Sequence, residues 1–87
     1  MEQNIEKPKT REEILALSLD GRKQEIMHYQ INIDNYTIAL EEIAKLPMAD
    51  QQELSAFTDQ LNSLLTSEKL EQKKAKIMLT VIQKQME

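Results

Sequence analysis

One spacing dominates this sequence. From residue 15 to residue 43, apolar side chains recur at alternating steps of four and three: Leu15, Leu19, Ile26, Tyr29, Ile33, Tyr36, Leu40 and Ile43, with Arg22 as the single interruption. Such steps hold side chains on one stripe of an α-helix, whereas a strand needs steps of two. The spacing resumes as Leu54, Phe57, Leu61 and Leu64, and its frame runs on through Glu68, Glu71 and Ala75 to Met78 and Ile82. A chain patterned in this way packs helices against helices. The expected class is all-α.

The boundaries follow from local chemistry. Residues 1–9 are polar and aperiodic and contain Pro8, which predicts a flexible arm. Thr10-Arg11-Glu12-Glu13 has the form of a capping box, in which the Thr10 hydroxyl accepts from the amide three residues on and Glu13 reaches back. A helix over 11–46 is predicted, ended by Pro47, which disfavours helical geometry at Leu46 and lacks an amide donor. Asp50, with Glu53 three residues later, predicts the N-cap of a second helix over 50–86.

Two points leave the helix count open. Asp20-Gly21 is a candidate kink, because glycine costs a helix interior about 1 kcal/mol relative to alanine. Thr66-Ser67 is a candidate break, which would turn residues 10–87 into a three-helix bundle. The preferred reading is a single domain built as a long antiparallel, coiled-coil-like hairpin with helices of ~55 Å. With the turn near residue 48, Arg22 then falls opposite Glu71 and Ala75. The basic interruption of one seam would face an acidic interruption of the other.

The seams do not use up the apolar residues. Leu17, Ile31 and Ile38 fall on the opposite side of the first helix, with Ile14 and Met27 near them; Leu65, Leu70, Ile77, Leu79 and Val81 fall outside the second seam. At ~25 cal/mol per Å², leaving several Ile and Leu side chains in water forfeits several kcal/mol. Either they fill the wider core of a monomeric three-helix bundle, or hairpins associate into a dimeric or larger bundle. The second reading is preferred, since stripes on opposite sides of one helix suit contacts on two sides. Its expected interface is Leu17, Met27, Ile31, Ile38, Leu70 and Ile77.

Size supports that preference. At 87 residues the chain is near the lower limit for a self-sufficient core. Cysteine is absent, which excludes disulfides and thiolate metal sites and leaves a second copy or a partner as the source of extra stability. The net charge of −4 disfavours general affinity for nucleic acid or anionic membrane. No apolar run approaches the ~20 residues of a membrane span, and the N-terminus carries no apolar signal segment. A cytoplasmic protein with no membrane association is expected.

No catalytic constellation is present. His28 has no second histidine or cysteine with which to share a metal, and no glycine-rich turn could cradle phosphate. Glu12-Glu13 suits a helix start, and Glu41-Glu42 a solvated face. No catalytic residue, cofactor or metal is expected. Tyr29 and Tyr36 read as core residues with hydroxyls at the edge, or, if exposed, as a stacking surface. Gln30, Asn32 and Asn35 among them would specify register if buried.

Charge is uneven: residues 26–67 carry six acidic residues against Lys45 alone, whereas Lys69, Lys73, Lys74 and Lys76 cluster beyond them. The expected function is that of a small non-enzymatic interaction protein, an adaptor, escort or inhibitor of the bacterial or phage accessory kind. It is expected to be a homo-oligomer, most simply a dimer, with an unidentified protein partner. The alternatives are a nucleic-acid-associated regulator using the four lysines, or a nucleotide-sized ligand binder at a protomer interface near Tyr29 and Tyr36.

Overall fold

The computed structural model describes residues 8–87. The expected arm therefore lies outside the described residues, except for Pro8 and Lys9, which are exposed and carry no regular structure.

Helix α1 spans Arg11–Ala44, 34 residues. Its capping box is formed: Glu13 N donates to Thr10 Oγ1 at 3.1 Å, and Thr10 N donates to Glu13 Oε1 at 3.2 Å. Glu12 and Glu13 add negative charge where the helix dipole favours it. The helix runs through Asp20-Gly21 without interruption. Gly21 has a negative φ there, and a Cβ built on it meets nothing within 4 Å. Nothing at this position requires glycine.

The turn differs from the expectation in detail. α1 ends at Ala44, two residues before the predicted end, and a short α2 begins at Met48 rather than at residue 50. The expected N-cap role of Asp50 is not realised. Asp50 lies inside α2 (Met48–Glu53), and the capping position is Pro47, whose carbonyl accepts from the amides of Asp50 and Gln51 at 3.0 Å each. The Gln51 side chain closes the corner, donating to the carbonyls of Leu46 at 2.8 Å and Ala44 at 3.3 Å. Those carbonyls have no helical donor of their own beyond the end of α1, so a side-chain amide serves them.

Leu54 joins α2 to α3, which spans Ser55–Met86, 32 residues. α3 passes through Thr66-Ser67 unbroken. The Thr66 hydroxyl donates to the Asn62 carbonyl at 3.0 Å, so it is used within the helix instead of capping a new one. Among the described residues the break at Thr66-Ser67, and the three-helix bundle it would give, are absent. α1 and α3, each about 50 Å long at 1.5 Å per residue, pack side by side as an extended antiparallel hairpin. The radius of gyration of 20.4 Å exceeds the roughly 12 Å expected of a compact domain of this length. The molecule is a rod.

Both inner stripes can be read from burial. On α1 the seam residues Leu15 and Ile33 are buried, and Leu19, Arg22, Ile26, Tyr29, Tyr36, Leu40 and Ile43 are half-buried. From Leu54 through α3 the inner stripe is Leu54, Thr58, Leu61, Leu65, Glu68, Gln72, Ala75, Leu79 and Ile82, with Glu71 half-buried at its edge. This departs from the expected frame at every second position. Phe57, Leu64 and Met78 are exposed, and Thr58, Leu65 and Leu79 take the inner places. The two frames share Leu54, Leu61, Glu68, Ala75 and Ile82. They differ only in whether the step of three or the step of four comes first, a one-residue shift that leaves the helical period unchanged.

Candidate functional site on the outer helix faces

The inner seam is apolar at its ends and polar in its middle. Gln72, the one buried polar residue among those described, donates to Gln30 Oε1 at 2.9 Å and to the Ile26 carbonyl at 3.3 Å. Half-buried Asn32 donates to Glu68 at 3.1 Å. The expected meeting of Arg22 with Glu71 does not occur: Arg22 pairs with Glu25 at 2.9 Å, and Glu71 pairs with Lys74 at 3.0 Å. Each of these charges finds a partner three residues away on its own helix, which requires no ordering across the pair. Asn32 and Gln30 therefore do bridge the helices, whereas Asn35 is exposed.

Tyr29 and Tyr36 lie on the inner stripe, half-buried. Partial burial first, then the carboxylates of Glu25, Glu71 and Glu68, raise the Tyr29 phenol above its ordinary value, against a smaller opposing effect of Arg22. Neither ring stands free as a stacking platform. His28 is exposed, and among the described residues no cluster of histidine and carboxylate side chains has the arrangement to hold a metal ion. The recesses are open and shallow. One, of about 320 Å³, is lined by Ser18, Gly21, Arg22, Glu25 and Ile82 near the open end of the hairpin. Among the described residues no helix is long and apolar enough to cross a membrane.

What remains is the outside. In α1, Leu17, Ile31 and Ile38 repeat at intervals of seven or twice seven and stand opposite the inner stripe; in α3, Leu70 and Ile77 do the same. With Met27, these six side chains are between 51% and 64% exposed. Ile14 and Val81 border them and are also exposed. Among the described residues five apolar side chains are buried in the seam, namely Leu15, Ile33, Leu61, Ala75 and Ile82, and no large side chain is completely removed from solvent. Leu65 and Leu79, expected outside the seam, belong to it. The α3 outer stripe is therefore Leu70, Ile77 and Val81.

Sequence reasoning missed Gln72, because the frame chosen for α3 put Glu71 in its place. A signal was available. Leu65 and Leu79 lie two heptads apart with Gln72 midway, a stripe as regular as the one chosen. No family model matches the chain, and no curated protein or solved structure matches it either.

Proposed function

We propose that this chain is a non-catalytic interaction protein that works by helix-to-helix packing and associates with itself. The observation that carries the reading is the imbalance between inside and outside. Among the described residues the seam buries five apolar side chains, while the outer faces hold Leu17, Met27, Ile31, Ile38, Leu70 and Ile77 more than half exposed. At ~25 cal/mol per Å², covering such faces is worth several kcal/mol, comparable with the whole stability of a small domain. A rod with apolar ridges on two sides presents the geometry that helical adaptors and escorts use, where ridge residues at heptad spacing enter the groove of another helix.

The test is a pair of substitutions on one face. Ile31→Glu with Ile38→Glu leaves the seam untouched. It is expected to lower the assembly mass measured by light scattering, while far-UV circular dichroism stays helical. Assembly unchanged in the double variant would remove the α1 outer face from the interaction.

A further inference from the structure

The two outer faces carry opposite charge. On α1 the exposed residues beside the ridge include Asp20, Asp34, Glu41 and Glu42; two exposed lysines share this side, Lys45, which is bonded to Glu42 at the helix end, and Lys23, which lies before the Met27–Ile38 stretch. On α3 the ridge of Leu70 and Ile77 is bordered by exposed Lys69, Lys73, Lys74, Lys76 and Lys84. Two α1 faces brought together would set acid against acid, and two α3 faces lysine against lysine. An α1 face on an α3 face joins opposite charges.

The apolar spacing agrees with the charge. Met27, Ile31 and Ile38 follow steps of four and seven; Leu70, Ile77 and Val81 follow seven and four. Laid antiparallel, the two sets come level: Met27 with Val81, Ile31 with Ile77, Ile38 with Leu70. In the same register Asp34 falls between Lys73 and Lys76, and Glu41 falls beside Lys69. Asp34 and Glu41 project to the side of the α1 ridge that these lysines occupy on α3, because equivalent heptad positions share a side in an antiparallel pair.

We propose that the acid-bordered outer face of α1 packs antiparallel on the lysine-bordered outer face of α3 in a second copy of this chain. The inference rests on the self-association reading above and names the surfaces it uses. Because the two surfaces differ, the contact is heterologous, and each pair keeps one free face of each kind. Asn32 is bonded to Glu68 within its own hairpin, and stands level with Lys76 of the next copy. That stagger of eight residues is ~12 Å along the rod. A closed ring requires no net stagger, so the assembly is open-ended. One helix along one helix covers less than the ~800 Å² per partner of a standard interface, so association depends on concentration.

Two half-blind variants test the pairing. Ile31→Glu/Ile38→Glu disables the α1 face, and Leu70→Gln/Ile77→Gln disables the α3 face without giving the glutamates of the first variant a cationic partner. The intact chain is expected to grow beyond a dimer as concentration rises. Each variant alone is expected to stay at monomer mass with the helicity of the parent. An equimolar mixture is expected to give a complex of one copy of each and nothing larger, since one compatible pair of faces remains. The alanine counterparts at the same positions replace either variant if it loses helicity.

Assembly by Leu70→Gln/Ile77→Gln alone would show α1 meeting α1, and assembly by Ile31→Glu/Ile38→Glu alone would show α3 meeting α3. Either result overturns the proposal, as does a mixture that stays monomeric. In all three cases self-association itself survives if the intact chain assembles. An intact chain that stays monomeric removes both readings.

Discussion

The Gln72 side-chain amide is held by α1 at two points, the Gln30 side-chain oxygen at 2.9 Å and the Ile26 carbonyl at 3.3 Å. A buried amide in a seam has one satisfied position along the partner helix, so this pair favours one register over slipped alternatives. Neighbouring Asn32 and Glu68 add a second polar link. The middle of the hairpin thus gives up apolar burial for alignment.

Gln72→Leu is expected to leave stability within about 1 kcal/mol of the parent, because Gln30 is exposed and its freed oxygen turns to water. Gln72→Glu is expected to cost about 1–3 kcal/mol, since a carboxylate loses the donor role and faces two acceptors. Urea titrations of the two variants distinguish these outcomes. Equal losses would mean that the amide contributes only volume.

Gly21→Ala is expected to stabilise the hairpin. The site is helical, its φ is negative and the added methyl meets nothing within 4 Å. A gain of about 1 kcal/mol corresponds to a rise of roughly 4–8 °C in Tm for a chain this size. A fall in Tm on a thermal scan would show that the glycine serves a purpose the hairpin alone does not reveal.

The α3 frame is open to direct comparison. Leu79→Ala removes an inner side chain and is expected to cost about 2 kcal/mol, whereas Met78→Ala removes one at 40% exposure and is expected to cost well under half as much. Chemical denaturation of the two variants checks the order. A larger loss at Met78 would restore the frame in which Met78 faces α1.

Alkaline stability should depend on Tyr29. Its folded phenol titrates above the ordinary 10.0, through partial burial first and the nearby carboxylates second. The native state therefore holds this proton more tightly than the unfolded chain. The associated stability is fully present below pH ~10 and is lost as pH rises through the higher folded value. Tyr29→Phe is expected to change little at pH 7 and to flatten the loss above pH 10. Identical alkaline profiles for the variant and the parent would contradict this assignment.

Much of the fold was legible because it rests on local rules. The Thr10–Glu13 box, the stop before Pro47 and the α1 seam each follow from spacing and capping alone. The α3 frame was not, because apolar residues border its stripe on one side: Leu64 sits beside Leu65 and Met78 beside Leu79. A one-residue shift there costs a pattern argument nothing, but the packed pair selects one answer. The turn was read two residues late: Pro47 itself takes the capping position of α2, and the Gln51 side chain holds the carbonyls of Ala44 and Leu46. The outer ridges were visible as an excess of apolar positions. Leu70, Ile77 and Val81 already fell outside the seam in the sequence; the corrected frame moved Leu65 and Leu79 inward and left those three as the α3 ridge among the lysines.

Sedimentation equilibrium of the unmodified chain over a wide concentration range tests the central claim most directly. A hairpin with two uncovered apolar faces is expected to show a weight-average mass that starts near 10.1 kDa and climbs steadily with concentration. A mass fixed at 10.1 kDa at every concentration would contradict it.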